Sequence, residues 1–210
     1  MKKWLRICLS LLLLAALTAC GSTPSAGENP GAESVTASEP AETSSAQPAG
    51  AGRTLVAYFS WSGNTQQMAE TIAQQTGADL FEIATVTPYT DDYDTLLEIA
   101  QQEQSQDARP QLDAQVENWD GYDTVFVGYP NWWNDAPMAV YTFLESYDFT
   151  GKTLVPFNTS ASSGFGRSLT GIAESADGAT ILDGLALTES ELGDVQERVA
   201  TWLADLGLNG

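Results

Sequence analysis

The stretch Thr54-Leu-Val-Ala-Tyr-Phe59-Ser60-Trp-Ser-Gly-Asn-Thr65 places a short apolar run before a loop of small polar residues and the start of a helical pattern. An apolar run without alternation is typical of a strand that is buried on both faces. Beyond the loop, apolar residues recur at helical spacing over residues 64–76, and Gly77 ends the pattern. A doubly buried strand followed by a helix predicts the first unit of an α/β domain.

The same alternation of strand and helix continues along the chain. The predicted strands are residues 54–59, 79–85, 123–129, 153–159 and 180–187, and the predicted helices are residues 64–76, 91–106, 136–147, 166–176 and a final helix after the capping box Thr188-Glu-Ser-Glu191. Such alternation predicts a parallel sheet covered by helices on both faces. Pro156 removes a ladder donor, so we expect it near the entry to the fourth strand. Trp202 lies on the apolar side of the final helix and is expected in the core.

The N-terminal segment has the pattern of a secretory signal. Lys2, Lys3 and Arg6 precede an apolar run at residues 7–17, and Leu17-Thr-Ala-Cys20 follows. A run this short predicts a signal peptide over residues 1–19 rather than a transmembrane helix. The Leu-x-Ala-Cys segment resembles the bacterial lipoprotein cleavage box, which implies lipidation of Cys20 and a location at the extracytoplasmic face of the cell membrane. An ordinary cleaved signal with an incidental cysteine is the alternative.

Two further regions follow the signal. Residues 20–52 are rich in Ser, Pro, Ala, Gly, Thr and Glu, with Val35 as the one aliphatic residue beyond alanine. This composition cannot bury enough apolar surface to offset chain ordering, so we expect a disordered tether behind the lipidated Cys20. Residues 53–210 have the length of one domain.

The composition excludes several classes of chemistry. The sequence has no histidine, and its two cysteines, Cys8 and Cys20, both precede the predicted domain. Histidine-based triads and zinc sites built on His or Cys are therefore excluded, no metal is expected, and a redox role would need a bound cofactor. The net charge of −20 argues against nucleic acid as a ligand and favours either a basic protein partner or solubility alone.

Three loops leave the carboxyl ends of predicted strands, where open parallel sheets bind their ligands. The first loop offers hydroxyls, the Asn64 amide and backbone N–H groups at a helix N-terminus, a combination that suits a phosphate. Ser and Asn are also favoured at ordinary helix N-caps, so that alternative stays open. The other two loops are Tyr129-Pro-Asn-Trp-Trp-Asn134 and Asn158-Thr-Ser-Ala-Ser-Ser-Gly-Phe-Gly166.

The adjacent Trp132 and Trp133 indicate what else the site would hold. On an extended chain neighbouring side chains point to opposite sides, so one tryptophan would cover the sheet edge while the other stacks on a ligand ring. Packing of both under the loop is the alternative. Together the loops predict a site for a phosphorylated flat ring, and flavin mononucleotide (FMN) is the first candidate.

Several segments of residues 53–210 resemble the flavodoxin family, in its branch with a Gly-x-Pro-x-Trp-Trp segment. These segments are Phe59-Ser-Trp-Ser-Gly-Asn-Thr65, Gly128-Tyr-Pro-Asn-Trp-Trp133, Thr142-Phe-Leu144, Phe149-Thr-Gly-Lys152 and Phe157-Asn-Thr-Ser160. The resemblance implies a three-layer, doubly wound α/β fold with a five-stranded parallel sheet in the order 2-1-3-4-5. It also implies non-covalent FMN as the cofactor.

The resemblance also implies a set of cofactor-binding residues. Those implied for the phosphate are Ser60, Ser62, Gly63, Asn64 and Thr65. Those implied for the ribityl chain and the isoalloxazine are Pro130, Asn131, Trp132 and Trp133, with Thr159, Ser160 and Gly164 closing the other side. Trp61 and Asn134 belong to the same loops and are included in the set, although Trp61 stands where many relatives have a basic or polar residue. Tyr89 is expected to pack rather than to contact the ligand.

The leading functional hypothesis is one- or two-electron transfer through bound FMN at the outer face of a bacterial membrane. Redox partner proteins with a basic face are the expected partners, and no side chain is assigned a catalytic role. The first alternative is an FMN-dependent NAD(P)H:quinone-type oxidoreductase, although the sequence has no nicotinamide-binding motif. The second is a non-redox, flavin-binding lipoprotein that uses the fold as a scaffold.

Overall fold

A parallel sheet organises residues 52–209, the part of the chain that this computed structural model describes. Its strands are β1 (Arg53–Tyr58), β2 (Asp79–Glu82), β3 (Tyr122–Pro130), β4 (Thr153–Ser160), β5 (Thr180–Ile181) and β6 (Leu185–Thr188). The order is β2-β1-β3-β4-β5, with β6 also paired to β4, so the predicted order 2-1-3-4-5 is confirmed. The expected signal peptide, Cys20 and residues 21–51 of the tether lie outside the described residues.

Helices cover both faces of the sheet. They are α1 (Asn64–Thr76), α2 (Tyr93–Gln106), α3 (Met138–Glu145), α4 (Ser168–Ser175) and α5 (Val195–Leu206), with 3₁₀ turns at Trp119–Gly121 and Glu189–Asp194. Helices α1 and α5 pack together on one face, and α3 packs with α4 and α2 on the other. Within residues 52–209, none of the helices combines the length and the hydropathy that a membrane span requires.

Strand β1 shows why its sequence lacks alternation. Leu55 and Ala57 belong to the core on the α3 side, whereas Val56 and Tyr58 belong to the core on the α1 side. All four side chains are at most 6% exposed, so both faces of the strand require apolar residues. Trp202 lies in the core beside α1, as its position on the final helix predicted.

The fifth predicted strand is interrupted, and Pro156 accounts for the break. Leu182 N donates to Leu154 O, so Leu154 bonds toward the β5 side of β4. Alternate residues of a strand bond to the same neighbouring strand, so Pro156 also faces β5. Proline has no N–H to donate, and the pairing register slips by one residue between Leu154↔Ile181 and Phe157↔Leu185. The expectation that Pro156 lies at the strand entry is wrong, because it is the fourth of eight residues in β4.

Most other boundaries differ from the sequence prediction by one or two residues, and two of the differences have a visible cause. Strand β2 ends at Glu82 rather than at residue 85, because Glu82 pairs with Tyr58, the last residue of β1. Helix α2 begins at Tyr93 rather than at residue 91, because the Asp92 side chain caps it by accepting from Thr95 N. The capping box is confirmed, with Glu191 accepting from the backbone N–H of Thr188, and it opens a 3₁₀ turn before α5.

Candidate functional site

A cleft of about 500 Å³ opens at the carboxyl ends of β1, β3 and β4. Strand β1 leads into α1 on one face of the sheet and β3 leads into α3 on the other, so this edge is the topological switch point. The residues lining the cleft are Trp61, Ser62, Asn64, Tyr93, Leu96, Leu97, Ala100, Pro130, Asn131, Trp132, Trp133, Thr159, Ser160, Ala161 and Glu189. Nine of the fourteen residues that the resemblance implied are therefore brought together here.

The N-terminus of α1 supplies hydrogen-bond donors to the cleft. Gly63 stands at the N-cap in a left-handed conformation with φ of 88°, and as a glycine it has no side chain to cap the helix. The first N–H groups of a helix have no intrahelical acceptor, and Ser60 Oγ accepts one of them, from Gln66 N, at 3.2 Å. The other donors of this turn and the positive end of the helix dipole remain for an anion.

Thr65 has a different place from its neighbours in the loop. Its side chain is 1% exposed, and its Oγ1 lies 2.7 Å from Thr159 Oγ1. This buried pair joins the first turn of α1 to the end of β4. The Thr65 hydroxyl is therefore directed into the protein, and what this residue offers the cleft is its backbone N–H.

The two tryptophans are the first two residues of a tight turn. Trp132 N donates to Asp135 O at 2.8 Å, and Asp135 N donates to Trp132 O at 3.0 Å. The two central residues, Trp133 and Asn134, have φ of 51° and 66°. Positive φ at both central positions defines a type I′ turn, which is unusual for a residue as large as tryptophan. The chain here is not extended, so the turn rather than strand alternation sends the two rings in different directions.

Trp132 packs within the protein. Its ring makes edge-to-face contacts with Phe59 at 5.2 Å and with Tyr89 at 5.3 Å between ring centroids. The Tyr89 hydroxyl donates to Glu103 Oε2 at 2.7 Å, and burial, with this bond, raises the pKa of Tyr89 well above its usual range. Tyr89 therefore packs under the Trp132 loop, as expected.

Trp133 stands at the mouth of the cleft. Its side chain is 46% exposed, and its Nε1 donates to Leu97 O on α2 at 3.0 Å. This bond anchors the edge of the indole and leaves much of the ring uncovered. Both tryptophans line the cleft, and Trp133 is the more exposed of the two.

Helix α2 forms a wall of the cleft that sequence analysis missed. Tyr93, Leu96, Leu97 and Ala100 line it, and the Tyr93 ring lies 6.1 Å from that of Trp61. The apolar spacing predicted that one side of this helix is buried, but it did not predict that this side would face the cleft. The available signal was that α2 follows the carboxyl end of β2, at the same edge of the sheet as the three loops.

Two hydrogen bonds connect this wall to the loops. Trp61 Nε1 donates to Thr90 O at 2.8 Å, and Gln104 Nε2 donates to Trp132 O at 2.7 Å. Trp61 therefore joins the first loop to the segment before α2, which gives it a structural role.

The third loop closes the remaining side. Asn131 N donates to Thr159 O at 2.8 Å, and Asn131 Nδ2 donates to Gly164 O at 2.6 Å. Gly164 N in turn donates to Ser160 Oγ at 2.9 Å. Asn134 O accepts from the backbone of Arg167. Five implied residues are therefore adjacent to the cleft without lining it: Ser60, Gly63, Thr65, Asn134 and Gly164.

Positive charge is absent from the lining of the cleft. Residues 52–209 contain five cationic side chains, and each is already engaged. The pairs are Arg53 with Asp79, Arg109 with Asp107 and Glu145, Arg167 with Asp135 and Arg198 with Glu191, while Lys152 Nζ donates to the carbonyl oxygens of Trp119 and Tyr122. The one charged residue in the lining is Glu189.

A family model described as flavodoxin matches residues 53–206. The chain belongs to the flavodoxin family. This flavodoxin-family structure is similar to that of a candidate flavoprotein from Bacteroides eggerthii, with 34% sequence identity and a TM-score of 0.67 over 75% of this chain and 99% of the other. A second candidate flavoprotein, from Bacteroides uniformis, has 33% identity and a TM-score of 0.64 over 71% and 98% of the two chains.

A flavoprotein from Lactobacillus acidophilus, solved in complex with FMN, is more distant. It has 25% identity and a TM-score of 0.57 over 69% of this flavodoxin-family chain and 98% of that protein. No curated protein matches the sequence.

Proposed function

We propose that this chain is a flavoprotein that binds FMN non-covalently and transfers electrons through it. The observation that carries the proposal is that one cleft, at the switch point of the sheet, joins the N-terminus of α1, which begins at Gly63, to an aromatic and apolar wall. A phosphate suits the first and a flat ring suits the second. Membership of the flavodoxin family and the FMN complex of the Lactobacillus acidophilus relative support the same cofactor.

The residues divide into groups that fit the parts of FMN. Ser62, Asn64 and the first N–H groups of α1 would hold the phosphate. Trp133 would cover a face of the ring, and Asn131 and Ser160 offer polar atoms beside it. When bound, the flavin supplies a centre that accepts and releases one or two electrons, while the protein fixes its position and its surroundings.

The charge of the site favours a low reduction potential. Reduction adds electron density to the flavin, and the cleft offers Glu189 but no cation in its lining. The chain as a whole has a net charge of −20. We expect the bound flavin to be harder to reduce than free FMN, and a redox titration that gives a potential at or above that of free FMN would contradict this part of the proposal. The same charge favours redox partners with a basic face.

An absorbance spectrum of the purified full-length chain, followed by acid release of any chromophore, tests cofactor binding. We expect a flavin spectrum and release of FMN in near-stoichiometric amount. A colourless protein that also fails to bind added FMN would contradict the proposal and favour the scaffold alternative.

Direct reduction by a nicotinamide is the competing function. The observation that favours it is the exposure of Trp133 and Tyr93 at the mouth, which leaves room for a small flat reactant to approach. Anaerobic mixing of the FMN-loaded chain with NADH or NADPH separates the two functions. Bleaching of the flavin spectrum without a partner protein indicates an oxidoreductase, and an unchanged spectrum that dithionite then bleaches indicates an electron carrier.

We also propose that the chain is tethered to the outer face of a bacterial membrane through lipid on Cys20. The support is the lipoprotein-type segment ending at Cys20 and the tether composition of the residues that follow it. Fractionation of cells that produce the wild-type chain or the Cys20→Ser variant tests the anchor. The wild-type chain is expected in the membrane fraction, and an equal distribution of both chains would refute lipid anchoring.

A further inference from the structure

The turn that carries both tryptophans has an unfavourable backbone conformation. Its central residues, Trp133 and Asn134, are consecutive non-glycine residues at positive φ. A type I′ turn favours Asn and Gly at these positions, and a bulky side chain is rare there. Residues persist in this region only where the surrounding structure fixes them. The groups that fix this turn are therefore of interest, because the turn forms part of the cleft.

The carboxylate of Asp135 holds the last residue of the turn. The side chain is 14% exposed, and its Oδ2 accepts from Arg167 Nε at 2.6 Å. Its Oδ1 accepts from Tyr141 Oη at 2.5 Å and from Ala136 N at 2.8 Å. Tyr141 belongs to α3, and Arg167 is the N-cap residue of α4. One carboxylate therefore ties the end of the turn to two helices.

The start of α4 makes a second contact with the turn. The backbone N–H of Arg167 donates to Asn134 O at 2.9 Å. Gly166 allows this approach, because a Cβ at that position would collide with Asn134 O. On the other side of the turn, Trp133 Nε1 donates to Leu97 O at 3.0 Å. The indole is thus held between α2 and the start of α4.

We infer that Asp135 is a positioning residue that, through its bond to Arg167, holds the ring of Trp133 in the orientation in which it covers the flavin. This inference rests on the proposed function. Asp135 is not part of the lining of the cleft, so it acts through the turn. Without the bond to Arg167 the turn relaxes toward more favourable dihedral angles, and the indole samples other orientations. Ordering one such side chain again on binding lowers the affinity about three- to tenfold.

The Asp135→Asn variant breaks this bond selectively. Its amide oxygen can still accept from Tyr141, whereas its NH₂ group would face the Nε–H donor of Arg167. We expect the full-length variant to bind FMN and riboflavin each about three- to tenfold more weakly, measured by titration calorimetry. Riboflavin shares the ring and lacks the phosphate, so equal losses locate the effect at the ring.

A second readout reports on the position of the indole itself. A tryptophan that covers a flavin quenches its fluorescence, so the emission of bound flavin at saturating protein should be higher in Asp135→Asn than in the wild type. Arg167→Met breaks the same bond from the other side, at a side chain that is 62% exposed, and should give the same loss of affinity and the same rise in emission.

Asp79→Asn is the matched control. Asp79 also accepts from an arginine and a tyrosine, Arg53 and Tyr122. It is the first residue of β2 and pairs with Leu55 near the start of β1, so it lies at the opposite end of the strands from the cleft. We expect this variant to match the wild type in flavin affinity and in the emission of bound flavin.

The outcomes separate this inference from the function on which it rests. If the wild-type chain binds neither flavin, the proposed function fails. Wild-type affinity and emission in folded Asp135→Asn or Arg167→Met would show that the inference alone is wrong. Equal losses in Asp79→Asn would overturn it in favour of general destabilisation. A loss confined to FMN would overturn it as well, because the effect would then lie at the phosphate.

Discussion

Two glycines at the ends of α1 allow the role of its N-terminus to be isolated. Gly63 at the N-cap and Gly77 at the C-cap both have positive φ, 88° and 68°. A Cβ built on either glycine meets no atom within 4 Å. Alanine at either position therefore strains the backbone without creating a clash, so Gly63→Ala and Gly77→Ala form a matched pair.

The expected loss of stability is similar for the two variants. A non-glycine residue in the left-handed region costs about 1–2 kcal/mol. For a domain of this size each kcal/mol lowers the midpoint of thermal unfolding by about 2–4 °C, so each variant should unfold about 2–8 °C below the wild type. Thermal unfolding of the cofactor-free protein, followed by circular dichroism, measures this.

The effect on binding should differ sharply between the variants. Gly63 sets the direction of the first N–H groups of α1, which we propose hold the phosphate, whereas Gly77 lies at the far end of the helix. Misdirecting one charge-assisted hydrogen bond costs about 1.5–3 kcal/mol, so we expect Gly63→Ala to bind FMN at least about tenfold more weakly. Gly77→Ala should bind FMN like the wild type, and both should bind riboflavin like the wild type.

Two results would refute this reasoning. Equal loss of FMN affinity in both variants would mean that the loss reflects general destabilisation. Wild-type FMN affinity in a folded Gly63→Ala variant would mean that the α1 N-terminus does not hold the phosphate.

Three further predictions concern stability. Thr65→Val leaves the buried Thr159 hydroxyl without its partner and should lower the free energy of unfolding, measured in urea, by about 1–3 kcal/mol. Thr65→Ser keeps the hydroxyl and should lower it less. Equal losses in the two variants would contradict the role of this hydrogen bond. Burial raises the pKa of Glu103 in the folded protein, so its ionised form destabilises the fold, and stability falls as pH rises through that pKa. Glu103→Gln, whose side-chain oxygen can still accept from Tyr89, should therefore raise the midpoint of thermal unfolding at pH 7 and leave it unchanged at pH 3. Hydrogen bonds from the backbone and hydroxyl of Thr188, with Arg198, lower the pKa of Glu191 to about 2. Its contribution to stability is therefore present above about pH 4.3 and is lost as pH falls toward 2. Glu191→Gln should make the free energy of unfolding depend less on pH in that range, and an unchanged pH dependence would contradict this.

The sequence predicted the sheet and most of its helices because their signals are local. Strand β1 is buried on both faces, so its lack of alternation could be read directly. Helix α1 was predicted with its observed bounds because Gly63 and Gly77 flank it and its apolar residues keep helical spacing. The capping box at Thr188 likewise depends on residues only three positions apart.

The features that were not predicted depend on partners distant in the chain. The break between β5 and β6 depends on which side of β4 the missing N–H of Pro156 faces, and the pairing of the whole sheet decides that. The type I′ turn places Trp133 at positive φ against its intrinsic preference, and bonds to α2 hold the loop there. The α2 wall of the cleft depends on tertiary packing, which helical spacing alone does not specify.

The engagement of every described cation also bears on resistance to proteolysis. Trypsin-like proteases cleave after lysine and arginine where the chain opens locally. In residues 52–209 such sites exist only at the five cationic residues, each of which is held by an ion pair or, for Lys152, by buried carbonyl oxygens. Cutting within residues 52–209 should therefore proceed no faster than this part of the chain opens, and the rate of cutting at Lys152 would report how often the sheet itself comes apart.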